Sequence, residues 1–153
     1  MSGNQKFIKL QVDQIYMFWS ILKHAIIQTH KIPTEHQPAY SVKVLERLLT
    51  GMSQAWIGFE LTEENEKKIN FILITKIIDE KFYGIRTLLF ESLYGLRLMT
   101  EELVLEAYKH LEKYAKENKC DVIVAEYSNR RVQGIMDTLG FEDHKTISRK
   151  FII

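Results

Sequence analysis

The chain has 153 residues, 46% hydrophobic and 27% charged, which fits one domain (1–153) that buries its own core without disulfides or metal. A formal net charge of +1 removes any argument for a nucleic-acid or anionic-membrane partner. The single cysteine, Cys120, excludes an internal disulfide, suits a reducing compartment, and reads as a small buried hydrophobe at a strand entrance. The start, MSGNQKFIKL, lacks the apolar core of a secretion signal, and no run of eighteen apolar residues suggests a membrane span. The expectation is a cytoplasmic or assembled protein that is not secreted.

In chain order, residues 7–10 (FIKL) alternate and read as a short first strand. Residues 13–29 place Ile15, Trp19, Leu22 and Ile26 on one helical stripe, and Met17, Phe18, Ile21 and Ala25 form a second apolar flank. Residues 31–40 contain Pro33 and Pro38 and read as a loop. Ser41 can cap a helix running to about residue 50, with Val42, Leu45 and Leu49 inward and Gly51 as its stop. Residues 54–61 and 69–78 are β-rich runs joined by the polar segment TEENEK, the pattern of an antiparallel hairpin. After a turn at 79–81, residues 82–94 (FYGIRTLLFESLY) add a long third member to that meander.

The C-terminal part is the most regular. Leu103, Ala107, Leu111, Tyr114 and Ala115 recur at helical spacing and line one face, which must pack on a sheet. Residues 121–127 (DVIVAEY) are apolar on both sides, as a strand covered on two faces requires. Ser128 or Asn129 then caps a short helix carrying Val132, Ile135, Met136 and Leu139, which stops at Gly140 before a last strand. Trp19, Trp56, Ile72, Leu88, Leu111, Val124 and Leu139 are the expected core. The whole order is α+β with a mixed, mostly antiparallel sheet flanked by about four helices.

The run YAKENKC–DVIVAEY–SNRRVQGIMDTLGFE resembles the second half of the GNAT superfamily, the acetyl-CoA-dependent N-acetyltransferases, with Asn129 as the family's asparagine and Gly140–Phe141 as its Gly-Phe pair. The resemblance implies that the pyrophosphate of coenzyme A would lie on backbone N–H groups where the long strand turns into the helix, on the pattern Arg/Gln-x-x-Gly-x-Gly/Ala. The matching stretch is Met99-Thr100-Glu101-Glu102-Leu103-Val104. Glu102 and Val104 therefore fill both glycine positions, Met99 fills the cationic one, and Thr100 is an ordinary helix cap. Two carboxylates in the first turn stabilise the helix by roughly 0.3–1 kcal/mol each and repel a pyrophosphate. Arg97 supplies one nearby positive charge, but no glycine follows it.

The family's tyrosine, which protonates the leaving thiolate, would stand at Met136, and methionine has no proton to give. Glu91 is the carboxylate of FESLY and the candidate general base, set against the plainer reading of an outward-facing strand residue. The pair of N-terminal helices would flank the substrate channel, which His24, His30, His36 and Tyr40 would line. Arg130 and Arg131, with Lys145, Arg149 and Lys150, form a weak basic patch diluted by Glu142 and Asp143. No metal-binding spacing, nucleophile elbow or phosphate loop is present.

The sequence is thus expected to specify a GNAT-like chain with a degenerate site, acting as a structural or adaptor component. The resemblance extends to GNAT-like proteins of phage virions. Thr100, Glu102, Val104 and Asn129 would be vestigial cofactor positions, with no cofactor held. The alternative is an acetyl-CoA-dependent N-acetyltransferase of an amine, with Glu91 as base and the pantetheine arm paired to the backbone of residues 87–92. The second apolar flank of the first helix, at Met17, Phe18 and Ile21, is the expected docking face for a protein partner or a second copy.

Overall fold

The computed structural model describes residues 5–97, 99–127 and 130–143. Strand β1 (Gln5–Lys9) leads into helices α1 (Val12–His30) and α2 (Gln37–Leu49), and strands β2 (Ser53–Leu61), β3 (Lys67–Glu80) and β4 (Ile85–Gly95) follow. Helix α3 (Glu101–Glu117), strand β5 (Val122–Ala125) and helix α4 (Arg130–Thr138) complete the described chain. The strands form one sheet in the order β1-β2-β3-β4-β5, antiparallel except for the parallel β4–β5 pair. This is the α+β architecture with a mixed, mostly antiparallel sheet that the order of elements predicts.

Strand alternation divides the core into two layers. Phe7, Trp56, Phe71, Leu73, Leu88 and Phe90 turn toward Leu103, Ala107, Leu111 and Ala115 of α3 and Val132 and Met136 of α4. Ile57, Ile72 and Ile74 turn the other way, toward Ile15, Leu22 and Ile26 of α1 and Val44 and Leu48 of α2. The meander is therefore covered on both faces, which is why β2 and the middle of β3 are buried almost without interruption.

Two local devices let the sheet accept these side chains. A Cβ on Gly58 would lie 2.1 Å from the ring of Phe71, so the missing side chain makes room for that ring, which stacks on Phe7 with centroids 5.6 Å apart. Between the layers, Trp56 Nε1 donates to Thr75 Oγ1 at 3.0 Å, Thr75 donates to Gln54 Oε1 at 2.8 Å, and Gln54 Nε2 donates to the carbonyl of Gly51. Each polar group in this buried chain has a partner, so it orients Trp56 without a desolvation penalty.

Several sequence expectations are corrected. Pro38 lies inside the first turn of α2, where the missing N–H has no helical acceptor to lose, so the helix starts before Ser41, which is buried within it. The buried stripe of α2 is Ser41, Val44 and Leu48, and Val42 is exposed one residue off that phase. Phe82 and Tyr83 occupy the turn before β4, which a left-handed Gly84 (φ 69°) closes by donating its N–H to the carbonyl of Glu80. Val124 is 40% exposed, because α3 covers only the Ile123 and Ala125 side of β5. Trp19 and Leu139 are half-buried rather than buried. The cap at Ser128 or Asn129, the last strand, and the basic residues Lys145, Arg149 and Lys150 lie outside the described residues.

Leu111 is buried against both β3 and β4 side chains, so Leu111→Ala should cost roughly 2–5 kcal/mol in denaturant unfolding. Val124→Ala, on the exposed side of β5, should change stability by no more than about 0.5 kcal/mol. A reversed order would show that the helix face has been misassigned.

Candidate functional site

The site begins with one extra residue in β4. Ile74 pairs with Ser92 and Thr75 with Phe90, so Glu91 has no partner on β3 and forms a β-bulge. The bulge turns both Glu91 and Ser92 to the α1/α2 face, since Glu91 meets Arg47 of α2 and Ser92 meets His30 of α1. It also ends the pairing with β5: the ladder runs from Thr87–Val122 to Phe90–Ala125 and closes with the Glu126 N–H on the Phe90 carbonyl at 3.2 Å. From Glu91 to Gly95, β4 continues alone on that side among the described residues. Of residues 87–92, where a pantetheine arm was expected to pair, the first four are therefore already joined to β5.

The space above the parting strands, between α3 and α4, is apolar. Phe90, Leu93, Val104, Tyr108, Met136 and Leu139 are among its walls, and the cavity left is about 40 Å³, room for roughly one water. Phe141 closes it further, its ring centroid 6.1 Å from Phe90 and 6.0 Å from Tyr108. Phe141 is held there by the helix stop. Gly140 is left-handed (φ 86°), and the Phe141 N–H donates to the Met136 carbonyl at 3.0 Å. Tyr108 is a wall residue that the sequence reading passed over; burial pushes its phenol above the usual range, and the neighbouring Glu112 carboxylate adds to this.

At the turn from β4 into α3, four backbone donors already have acceptors. The N–H groups of Leu96 and Arg97 both donate to the carbonyl of Asn70 on β3, at 2.8 and 3.1 Å. Thr100 caps α3, its Oγ1 accepting from the Leu103 N–H at 3.2 Å, while the Val104 N–H donates to the Thr100 carbonyl. The Thr100 hydroxyl in turn donates to Gln5 Oε1. Glu101 and Glu102 stand exposed in the first turn, and the Val104 side chain reaches the apolar space between the helices. Asn129 lies outside the described residues.

The opposite face of the bulge is polar. Glu91 is 8% exposed, and its Oε1 accepts from Arg47 Nη2 at 3.2 Å and lies 3.7 Å from Lys76 Nζ. Its Oε2 and the Nε of Arg47 are buried with no hydrogen-bond partner. Beside them His30 Nε2 and Ser92 Oγ share a 2.6 Å hydrogen bond, the His30 ring lies against Tyr40, and His24 Nε2 is 3.5 Å from the Tyr94 hydroxyl. The structure thus brings Glu91, His24, His30 and Tyr40 together on the α1/α2 face. It sets them across the sheet from the side chains of Val104 and Met136. Among the described residues no cluster of His, Cys, Asp and Glu could hold a metal ion.

No protein-family model and no curated protein matches the sequence. Solved structures do match it over nearly the full chain. A predicted acetyltransferase from Clostridium acetobutylicum, solved with acetyl-CoA, superposes with a TM-score of 0.69 at 16% identity, over 96% of each chain. An aminoglycoside N-acetyltransferase in complex with CoA gives 0.65 at 11% identity, over 99% of this chain and 97% of that one. The glucosamine-6-phosphate N-acetyltransferase of Arabidopsis thaliana gives 0.65 at 11%, over 99% and 100%. Together with the bulged β4, the strands that part beyond Phe90 and the helix that follows, these likenesses show that the chain has the GNAT fold.

Proposed function

We propose that this protein uses the GNAT fold for binding rather than for acetyl transfer, as a structural or adaptor component. The observation that carries the reading is the acidic and partly occupied start of α3 at the β4–α3 turn. Leu96 and Arg97 give their N–H groups to Asn70, and Thr100 takes that of Leu103. A diphosphate approaching the start of α3 also meets Glu101 and Glu102. Each carboxylate costs about 1 kcal/mol at ~4 Å even in water, which offsets the helix dipole's contribution of roughly 0.3–1 kcal/mol. The apolar walls at Val104, Tyr108, Met136 and Leu139 narrow the space that a pantetheine arm would take. The residues present do not fit coenzyme A.

A binding role suits a subunit of a larger assembly, a phage virion among them. The proposed contact is the outer flank of α1, where Tyr16 and Met17 are exposed, Met17 by 77%. Phe18 and Ile21 are half-buried and pack against the α1/α2 core, so they form the base of that flank. Calorimetric titration with acetyl-CoA should give no binding at about 100 μM, and a low-micromolar Kd, about −8 kcal/mol, would overturn the reading. Glycine at both Glu102 and Val104 should introduce measurable affinity, because it removes one carboxylate and one wall side chain.

One observation favours a second reading. Glu91 stands at the point where the strands part, with a buried oxygen, Oε2, that has no partner. In that reading Oε2 takes the proton of an incoming ammonium group, while Arg47 and Lys76 offset the carboxylate charge. Release of thiol from acetyl-CoA in the presence of primary amines decides between the two. The binding reading expects none above background. Turnover that falls about 100-fold or more in Glu91→Gln would install the enzyme reading, since general bases contribute about 10²–10⁴.

A further inference from the structure

Among the described residues, the buried side-chain atoms without a hydrogen-bond partner are Thr29 Oγ1, Ser41 Oγ, Arg47 Nε, Ser53 Oγ and Glu91 Oε2. All sit on α1, on α2 or on the sheet face that these helices cover. Ser53 belongs there because it pairs with Lys76 and stands two residues before Ala55, which packs in the α1/α2 layer. Buried polar groups are normally bonded, so this corner lacks partners that the chain itself does not supply. Glu91 forms its floor. The Glu91 side chain is 11% exposed against 30% for Arg47 and 32% for Lys76, so the two cations make the solvent side. Both approach the same oxygen, Oε1, at 3.2 and 3.7 Å. That leaves Oε2 as a buried acceptor and the Nε of the contacting arginine as a buried donor. Next to Glu91, Ser92 is held by its 2.6 Å hydrogen bond to His30, whose ring lies against Tyr40.

We propose that this corner binds a small zwitterion whose ammonium and carboxylate share one carbon, an α-amino acid. The ligand's ammonium donates to Glu91 Oε2, and its carboxylate accepts from Arg47 Nε, with Lys76 as the second positive charge. Each half alone fits badly. A lone ammonium brings a third positive charge to a single carboxylate, and a lone carboxylate leaves Oε2 unpaired and sets a like charge beside it. Both groups on one ligand satisfy the donor and the acceptor with charge-assisted bonds and leave the net charge of the corner unchanged. Spacing agrees. Arg47 Nη2 and Glu91 Oε1 are in contact, so Nε and Oε2 are within a small molecule's reach of each other, as the two charged groups of an α-amino acid require. The inference goes beyond both functional readings, because holding such a ligand needs neither a protein partner nor acetyl transfer. With the enzyme reading it shares only the ammonium position.

Thermal unfolding of the full chain tests it, with the standard L-α-amino acids added singly at about 10 mM. At least one should raise the midpoint by about 2–4 °C, the shift that a millimolar Kd produces in a chain of this size. The N-acetyl and decarboxylated forms of that amino acid, each lacking one charged group, should give no shift. Glu91→Gln and Arg47→Gln should abolish the effect, and Lys76→Gln, at a partly exposed position, should reduce it in a protein that still folds even if Arg47→Gln does not. No shift with any amino acid overturns the proposal. An equal shift with either one-charge form, or a shift that survives all three variants, overturns it as well. Thiol release from acetyl-CoA that is as fast with the decarboxylated amine as with the amino acid would overturn it while leaving the enzyme reading in place. A shift that needs both charges, without thiol release, supports it and not the enzyme reading.

Discussion

Most of this structure's special geometry follows from an unequal pairing, two residues of β4 against one of β3 at Glu91. A regular ladder would have carried β5 alongside β4 to its end and sent Glu91 and Ser92 to opposite faces. The bulge instead sends both to the α1/α2 side and, among the described residues, leaves the last part of β4 without a neighbouring strand on one edge. That edge must be protected in some other way. Here the apolar walls from α3 and α4, together with Phe141, close over it, and the carbonyl of Asn70 holds the following turn. The same irregularity therefore creates a cleft and fixes what can occupy it.

The two sides of the bulge differ in character because their partner helices differ. On the α3/α4 side the groove beside the bulge is lined mainly by apolar side chains. On the α1/α2 side a carboxylate is buried beside an arginine and a lysine, with one oxygen and one guanidinium nitrogen left without partners. Buried groups of that kind cost about 1–3 kcal/mol when unsatisfied, so the site stores free energy that a suitably placed donor or acceptor would release. Local polarity of this sort is common where a protein meets a small ligand, and it gives the second functional reading its physical basis.

Much of the fold was legible because long periodic segments dominate it. Leu103, Ala107, Leu111 and Ala115 follow one helical stripe, and all four are buried. Errors arose where one residue type had two uses. Phe82 and Tyr83 read as strand from their aromatic character, but the left-handed Gly84 fixes the turn around them. Val122 and Val124 read as two-sided burial, which needs a covering element that no local pattern can supply. The bulge left a trace that was overlooked: Phe90 and Leu93 face the same helix yet stand three apart, a spacing that an unbroken strand forbids. The donor occupancy at the β4–α3 turn was out of reach, because Asn70 is remote in sequence and acts through its backbone.

The placement of the two tryptophans has an optical consequence. Trp56 belongs to the α3/α4 layer, stacked on Phe7 and edge-on to Tyr114, with its indole N–H fixed on Thr75. Trp19 packs into the α1/α2 layer on the other side of the sheet. Each indole is thus an intrinsic fluorophore for one half of the molecule. Loosening of α3 would expose Trp56 to water and redden its emission while Trp19 stayed unchanged, and events on α1 would do the reverse. With one tryptophan replaced by phenylalanine at a time, the two layers become separately visible in solution without any added dye.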